Sequence, residues 1–277
     1  MVGSTMRILD CHIHCGVIDA SARQSYEDIA PLLAEVGASE AVCFSPVAEI
    51  YDRDNPNFED TPEWVRRRKA SRDYLCHLSR PDLVIYPFHF VWNDFDISDL
   101  DRFCGIKWHR HMREPKYHYE KEACRQMVTA IRERQFAVIL EEEFGNTLRF
   151  IRDLAAGVPV IIPHLGELNG GFGQLHREGV WKLPNVFADL SCDLVSSHLI
   201  RRFLDNYGPE KLIFGSDYPF GTPRSRFDDI DVLGLPDADR QLILRDNMRR
   251  LLKNTTMYEH ALPSEIEGRD RGPALQR

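Results

Sequence analysis

Short apolar runs alternate along this chain with longer stretches that are apolar on one face only. A run of four to eight apolar, β-branched residues predicts a buried strand, and apolar positions three and four apart predict a helix. On that basis strands are expected at 6–16, 40–47, 83–91, 104–109, 136–142, 159–164, 186–190 and 211–215. Between them lie helical stretches. The first has Ser25 as its cap, Ile29, Leu32, Leu33 and Val36 on one face, and Gly37 as its stop. Others are expected at 62–78, 119–134, 147–156, 194–207 and 237–252, with a short helical piece at 97–103. The basic run Arg66-Arg67-Arg68-Lys69 reads as a solvated helix face. Polar loops at 51–61 and 166–173 are long enough to be functional or mobile, and the second reads as a lid.

Eight apolar strands, most followed by a helix, point to an α/β fold: a single-domain (β/α)8 TIM barrel over 1–258, with 259–277 as a flexible tail. The alternative is an open doubly wound sheet, but no glycine-rich dinucleotide fingerprint follows the first strand.

Composition narrows the class. The 277 residues carry a net charge of −8, which argues against nucleic acid or an anionic membrane as partner. No apolar run reaches bilayer length and the start lacks a signal-peptide pattern, so a cytoplasmic protein is expected, acting on a small molecule, with a homodimer as the commonest assembly for such a chain. Seven scattered cysteines with no Cys-x-x-Cys pair read as reduced thiols.

The chemistry gathers at strand ends. Alternation along the first strand points His12 and His14 one way and Cys11, Ile13 and Cys15 the other, which makes the two imidazoles half of a metal site and leaves the cysteines out of it. In a barrel the C-terminal strand ends meet at one mouth. They bring Lys107 and His109 from the fourth strand, Glu141 and Glu143 from the fifth, His164 from the sixth and Asp217 from the eighth. That donor set suits a divalent cation. Trp108 should pack on the opposite face. His89 and His111 read as structural or as substrate contacts, and Arg224 and Arg226 as surface charges or a fork for a substrate carboxylate.

The pieces LDCHIHCG, GIKWH, VIIPHLG, LIFGSDYPF and RDNMRRLL span about residues 7 to 252. In them the chain resembles the amidohydrolase superfamily of metal-dependent barrel enzymes, specifically the amidohydrolase-related group that also contains decarboxylases. The resemblance implies that His12, His14 and Asp217 bind metal, most commonly zinc, with manganese as the alternative and one or two ions, and that His164 lies beside it as a further ligand or a substrate contact. It also implies that Asp217 shuttles a proton and that Lys107 stands where some members carry a carbamylated lysine. The fifth strand departs from the group's pattern. Where a metal-binding histidine is usual, this chain reads AVILEEE, placing Glu141, or Glu142 with a one-residue shift, at that position. The expectation is therefore a metal-dependent hydrolase of an amide, ester or lactone, with His12, His14, Glu141, His164 and Asp217 on the metal. Asp217, His164, Lys107 and His109 are the expected catalytic groups. A non-oxidative decarboxylase of an aromatic or unsaturated acid, and a barrel that binds without catalysis, are the alternatives.

Overall fold

A computed structural model describes residues 6–17 and 23–259. Eight strands, β1 Ile8–His14, β2 Ala38–Phe44, β3 Val84–Phe90, β4 Gly105–His109, β5 Val138–Glu141, β6 Val160–Ile162, β7 Val186–Asp189 and β8 Leu212–Ile213, pair in sequence order. Every ladder is parallel. The strands are apolar and almost wholly buried, as a sheet covered on both faces requires. The ring is drawn together where the chain after β8 meets β1: Cys11 N donates to Phe214 O (3.0 Å), His14 N to Tyr218 O (3.1 Å) and Asp217 N to His12 O (2.7 Å). Asp10 Oδ1 accepts from both His12 N and Ser216 N, tying the same seam. The expected (β/α)8 barrel is the observed fold.

Strand ends fall where the chemistry of proline dictates. The run expected at 40–47 stops at Phe44 because Pro46 has no N–H for a ladder, and the one at 159–164 stops before Pro163 for the same reason. Helix α1, Tyr26–Glu35, begins at Ser25, whose N–H donates to Asp28 Oδ2 at 3.0 Å. Helix α2, Pro62–Leu75, is capped by Thr61 Oγ1 accepting from Trp64 N at 3.3 Å. Its basic run is not simply solvated. Arg68 is 2% exposed, donating to Asp60 and to Asp94 (3.0 Å), and Arg72 donates to Asp96 at 2.8 Å. These buried pairs stitch the 51–61 loop and the chain after β3 onto the helix.

Helix α3 is Glu122–Arg134, and α4 is Phe144–Arg149, which passes into a π-turn at Phe150–Leu154. The glycine-rich segment is not a lid. It folds as a tight turn from Pro163 to Asn169, then as helix α5, Phe172–Arg177. Asn169 is fully buried and donates to Leu140 O (3.1 Å) and Thr147 Oγ1 (3.0 Å). Gly170 (φ +99°) packs so closely that a Cβ would sit 2.6 Å from Phe144 Cβ. Helix α6 is Ser197–Tyr207. An unexpected helix, α7 at Pro223–Asp231, follows the eighth strand, and the final helical stretch is broken into α8 Asp237–Gln241, a π-turn and α9 Asn247–Leu251. The tail expected from 259 lies, beyond that residue, outside the described residues. Among the described residues no helix is long and apolar enough to cross a membrane.

Candidate metal centre

His12 and His14 leave β1 on the same side and enter the mouth, both buried. The β7 end decides the tautomer of His12. Its Nδ1 lies 2.8 Å from Asp189 Oδ2, so the ring proton sits there and Nε2 keeps its lone pair. That lone pair faces Asp217 Oδ1 at 3.4 Å, and His14 Nε2 lies 3.3 Å from the same oxygen. Two acceptors facing across 3.4 Å in a buried space need a cation between or beside them. Lys107 answers part of that need. Its ammonium donates to His12 Nε2 and Glu141 Oε2, each at 3.1 Å, and lies 4.6 Å above the Phe44 ring.

His164 completes this side. Its Nε2 is 3.8 Å from Asp217 Oδ2 and 3.6 Å from Glu141 Oε2, and its Nδ1 is 3.0 Å from both Ser191 O and Ser191 Oγ. Ser191 Oγ also donates to Asp189. His164, Cys192 and Asp217 all hold left-handed backbone angles (φ 56°, 69° and 60°), a conformation that costs free energy and is typical of functional sites.

The other side is built on β4 and β5. Glu141 points into the mouth, whereas Glu142 points out to Arg110 (3.1 Å) and Tyr119 (2.9 Å), and Glu143, half out of the fold, accepts from Arg110 at 3.2 Å. The inward residue is thus Glu141. Glu141 Oε1 lies 3.4 Å from His109 Nε2 and in hydrogen-bond contact with His111 Nε2. Behind the rings stands Glu114. It accepts from the Tyr51 hydroxyl at 2.7 Å, and the same hydroxyl lies 3.2 Å from His109 Nδ1. With the Tyr51 proton on Glu114, the Tyr51 oxygen accepts from His109 Nδ1, and His109 Nε2 is left as a lone pair. Arg53 binds Glu114 Oε1 through Nε (2.9 Å) and lies 3.3 Å from His111 Nδ1.

Burial sets the charge states. It takes His14 and His109 down to about 4, so both are neutral at pH 7. It also pulls on His164, but the hydrogen bond and charge of Glu141, with Asp217 and Asp189, outweigh it and raise that imidazole to about 9. Burial would push the Asp217 carboxyl up, yet the hydrogen bond of His14 and the positive charge of His164 help hold it well below the usual carboxylate range.

Four groups of donors come within 4.8 Å of one another: His12, His14 and Asp217; His12, Glu141 and His164; His164, Cys192 and Asp217; and His109, His111 and Glu141. Imidazole and carboxylate sets of this kind fit a divalent metal. Residues 99–253 match the amidohydrolase family model (Amidohydro_2), more than half of the chain. The chain belongs to the amidohydrolase family. Several solved structures share the fold of this chain. A candidate 2-pyrone-4,6-dicarboxylic acid hydrolase from Pseudomonas putida is similar at 17% identity, over 90% of this chain and 98% of that one, with a TM-score of 0.63. The 2,6-dihydroxybenzoate decarboxylase from Rhizobium is similar at 14%, over 89% and 98%, with a TM-score of 0.62. The 5-carboxyvanillate decarboxylase from Sphingomonas paucimobilis is similar at 12%, over 89% and 99%, with a TM-score of 0.63. No curated protein sequence matches the chain. The family match starts after β3, so it includes Lys107, His109, Glu141, His164 and Asp217 but not the β1 histidines, which the barrel itself carries to the same place.

Around this centre is a cavity of about 380 Å³, its lining including Arg53, the metal-type donors other than His12, and an apolar wall of Val47, Leu168, Leu194 and Phe220. Other sequence candidates fall away from it. Arg226 is buried in α7 and donates to Cys192 O (2.9 Å) and Val195 O (2.8 Å), and Arg224 pairs with Asp228 on the surface of that helix, so neither is a loop group over the mouth. His89 is buried against Phe103 (5.1 Å between ring centres), and Trp108 packs among Tyr117, Tyr119 and Phe150. The residues that pattern reasoning missed are Asp189, Ser191, Tyr51, Arg53 and Glu114. Asp189 had a signal, since it ends a strand like the other donors. The rest come from loops.

Proposed function

We propose that this amidohydrolase is a metal-dependent hydrolase acting on a carbonyl-type small molecule, an amide, ester or lactone, that also carries an acidic group. The observation that supports it is the His12 Nε2 lone pair facing Asp217 Oδ1 at 3.4 Å beside His14, a buried acceptor pair made for zinc or manganese. His12, His14 and Asp217 would hold the ion, with Glu141 reaching it from β5. Such an ion supplies Lewis acidity, polarising a carbonyl and acidifying water.

The protein's own groups do the rest. Asp217 Oδ2, turned away from the β1 imidazoles and toward His164, takes a proton and passes it on. His164 and Lys107, both donors, stabilise negative charge developing on a substrate oxygen. His109 presents a lone pair to the mouth and so is not one of the donors to that oxygen. Arg53 on the cavity wall holds a substrate carboxylate, the role the sequence had suggested for Arg224 and Arg226. The apolar wall of Leu168, Leu194 and Phe220 takes the carbon skeleton.

An acid lying between Arg53 and an apolar wall is also what a non-oxidative decarboxylase binds, and decarboxylases share this fold. The two reactions separate cleanly. Chain purified without chelator and loaded with zinc or manganese is offered a panel of lactones, esters and amides bearing a carboxylate, and a panel of aromatic acids. Ring or bond opening with one water consumed supports the hydrolase. Carbon dioxide release supports the decarboxylase instead. Metal uptake below about half an ion per chain sinks both, since metal-dependent catalysis needs the ion in place.

A further inference from the structure

We propose that Glu141 bridges two metal ions, the second held by His109 and His111 on the β4 side of the mouth. The inference rests on the metal-dependent reading above and adds to it a site built from residues outside the β1 and β8 strands.

The two oxygens of Glu141 face different surroundings. Oε2 looks toward Lys107 (3.1 Å) and His164 (3.6 Å), within reach of His12. Oε1 looks toward His109 Nε2 (3.4 Å) and touches His111 Nε2. A carboxylate split between two donor groups in this way is arranged to bridge.

The surroundings of the second group repeat those of the first. On the β1 side, Asp189 takes the Nδ1 proton of His12 directly and reaches His164 through the Ser191 hydroxyl. On the β4 side, Glu114 reaches His109 through the Tyr51 hydroxyl (2.7 and 3.2 Å) and lies 3.7 Å from His111 Nδ1. Asp189 thus keeps the proton on His12 Nδ1 and Glu114, through Tyr51, keeps one on His109 Nδ1, turning both Nε2 atoms to the mouth as metal-binding histidines do. His111 differs, since its Nδ1 accepts from Arg53 (3.3 Å) and its Nε2 carries the proton toward Glu141. His109 Nε2 then faces Glu141 Oε1 as one acceptor faces another. His111 Nε2 turns a proton toward that same oxygen, the place a metal ion would take.

Manganese reports on this directly. Chain equilibrated with Mn2+ is measured for metal content and by electron paramagnetic resonance. Two ions per chain with an exchange-coupled spectrum are expected, because ions sharing one carboxylate couple. His109→Ala/His111→Ala should retain one ion and show the uncoupled pattern of an isolated ion. Glu114→Gln should weaken the second ion by about 10–100-fold and leave the first unchanged. A single uncoupled ion in the wild type, retained in the double variant, overturns the bridge while leaving the metal-dependent function standing. No manganese bound at all overturns both. If the double variant does not fold, the wild-type spectrum and the Glu114→Gln titration decide.

Discussion

On the β1 side of the mouth, each metal-type donor sits at or just beyond a strand end: His12 and His14 on β1, His164 after β6, Asp189 on β7 and Asp217 after β8. On the β4 side, His109, Glu141 and His111 do so too, but they are backed by Glu114, Tyr51 and Arg53, which come from loops after β4 and β2. The first side is therefore held by the sheet's own register, and the second by hydrogen bonds between loops. A barrel can vary its loops without touching its strands. Substitutions in the loops would therefore disturb the β4 side before the β1 side.

The comparison can be broken at several points. The largest effect is expected on the β1 side: His12→Ala or Asp217→Asn should cut turnover by about 10³-fold or more, with loss of bound metal, given the several kcal/mol a metal contributes to a transition state. Retention of both metal and turnover in either variant would remove that side from the chemistry. Next, Asp189→Asn leaves the shape intact but takes away the acceptor that fixes the His12 tautomer. Metal affinity should fall by about 10–100-fold, read by competition with a chelator.

Lys107→Met sharpens the boundary between the sides. Removing a positive charge 3.1 Å from His12 Nε2 should tighten metal binding while lowering turnover. Loss of metal instead would place Lys107 among the ligands. On the loop side, Arg53→Met should raise KM for acidic substrates by about 10–100-fold with little change in kcat, from the loss of a charged hydrogen bond.

The smallest effect lies outside the mouth. His89 Nδ1 has no hydrogen-bond partner among the described residues, and burial takes its imidazole down to about 3. Its folded value lies below the unfolded one near 6.5, so the unfolded chain binds more protons between them. Stability present above about pH 6.5 is lost as pH falls toward 3. Denaturant midpoints at pH 7.5 and pH 5 should differ less in His89→Leu than in the wild type; an equal loss would show that other groups carry the acid sensitivity.

The apolar runs and their spacing determined the barrel by themselves, because a strand buried on both faces must be apolar throughout. Period two then set the face of each strand-end side chain, which brought out His12, His14, Lys107, His109, Glu141, His164 and Asp217. What only the tertiary structure decided is how those groups are held and what lies between them. Tyr51 meets His109 and Glu114 across 58 and 63 residues of chain, a pairing no local pattern encodes. The helix after β8 turned Arg226 inward, and the loop after β2 supplied Arg53 in its place. The choice of Glu141 over Glu142 was likewise a matter of register, fixed when Arg110 and Tyr119 took Glu142 on the outer face. Proton positions on the imidazoles, which make the site a cation site, depend on partners folded in from β7 and the loops.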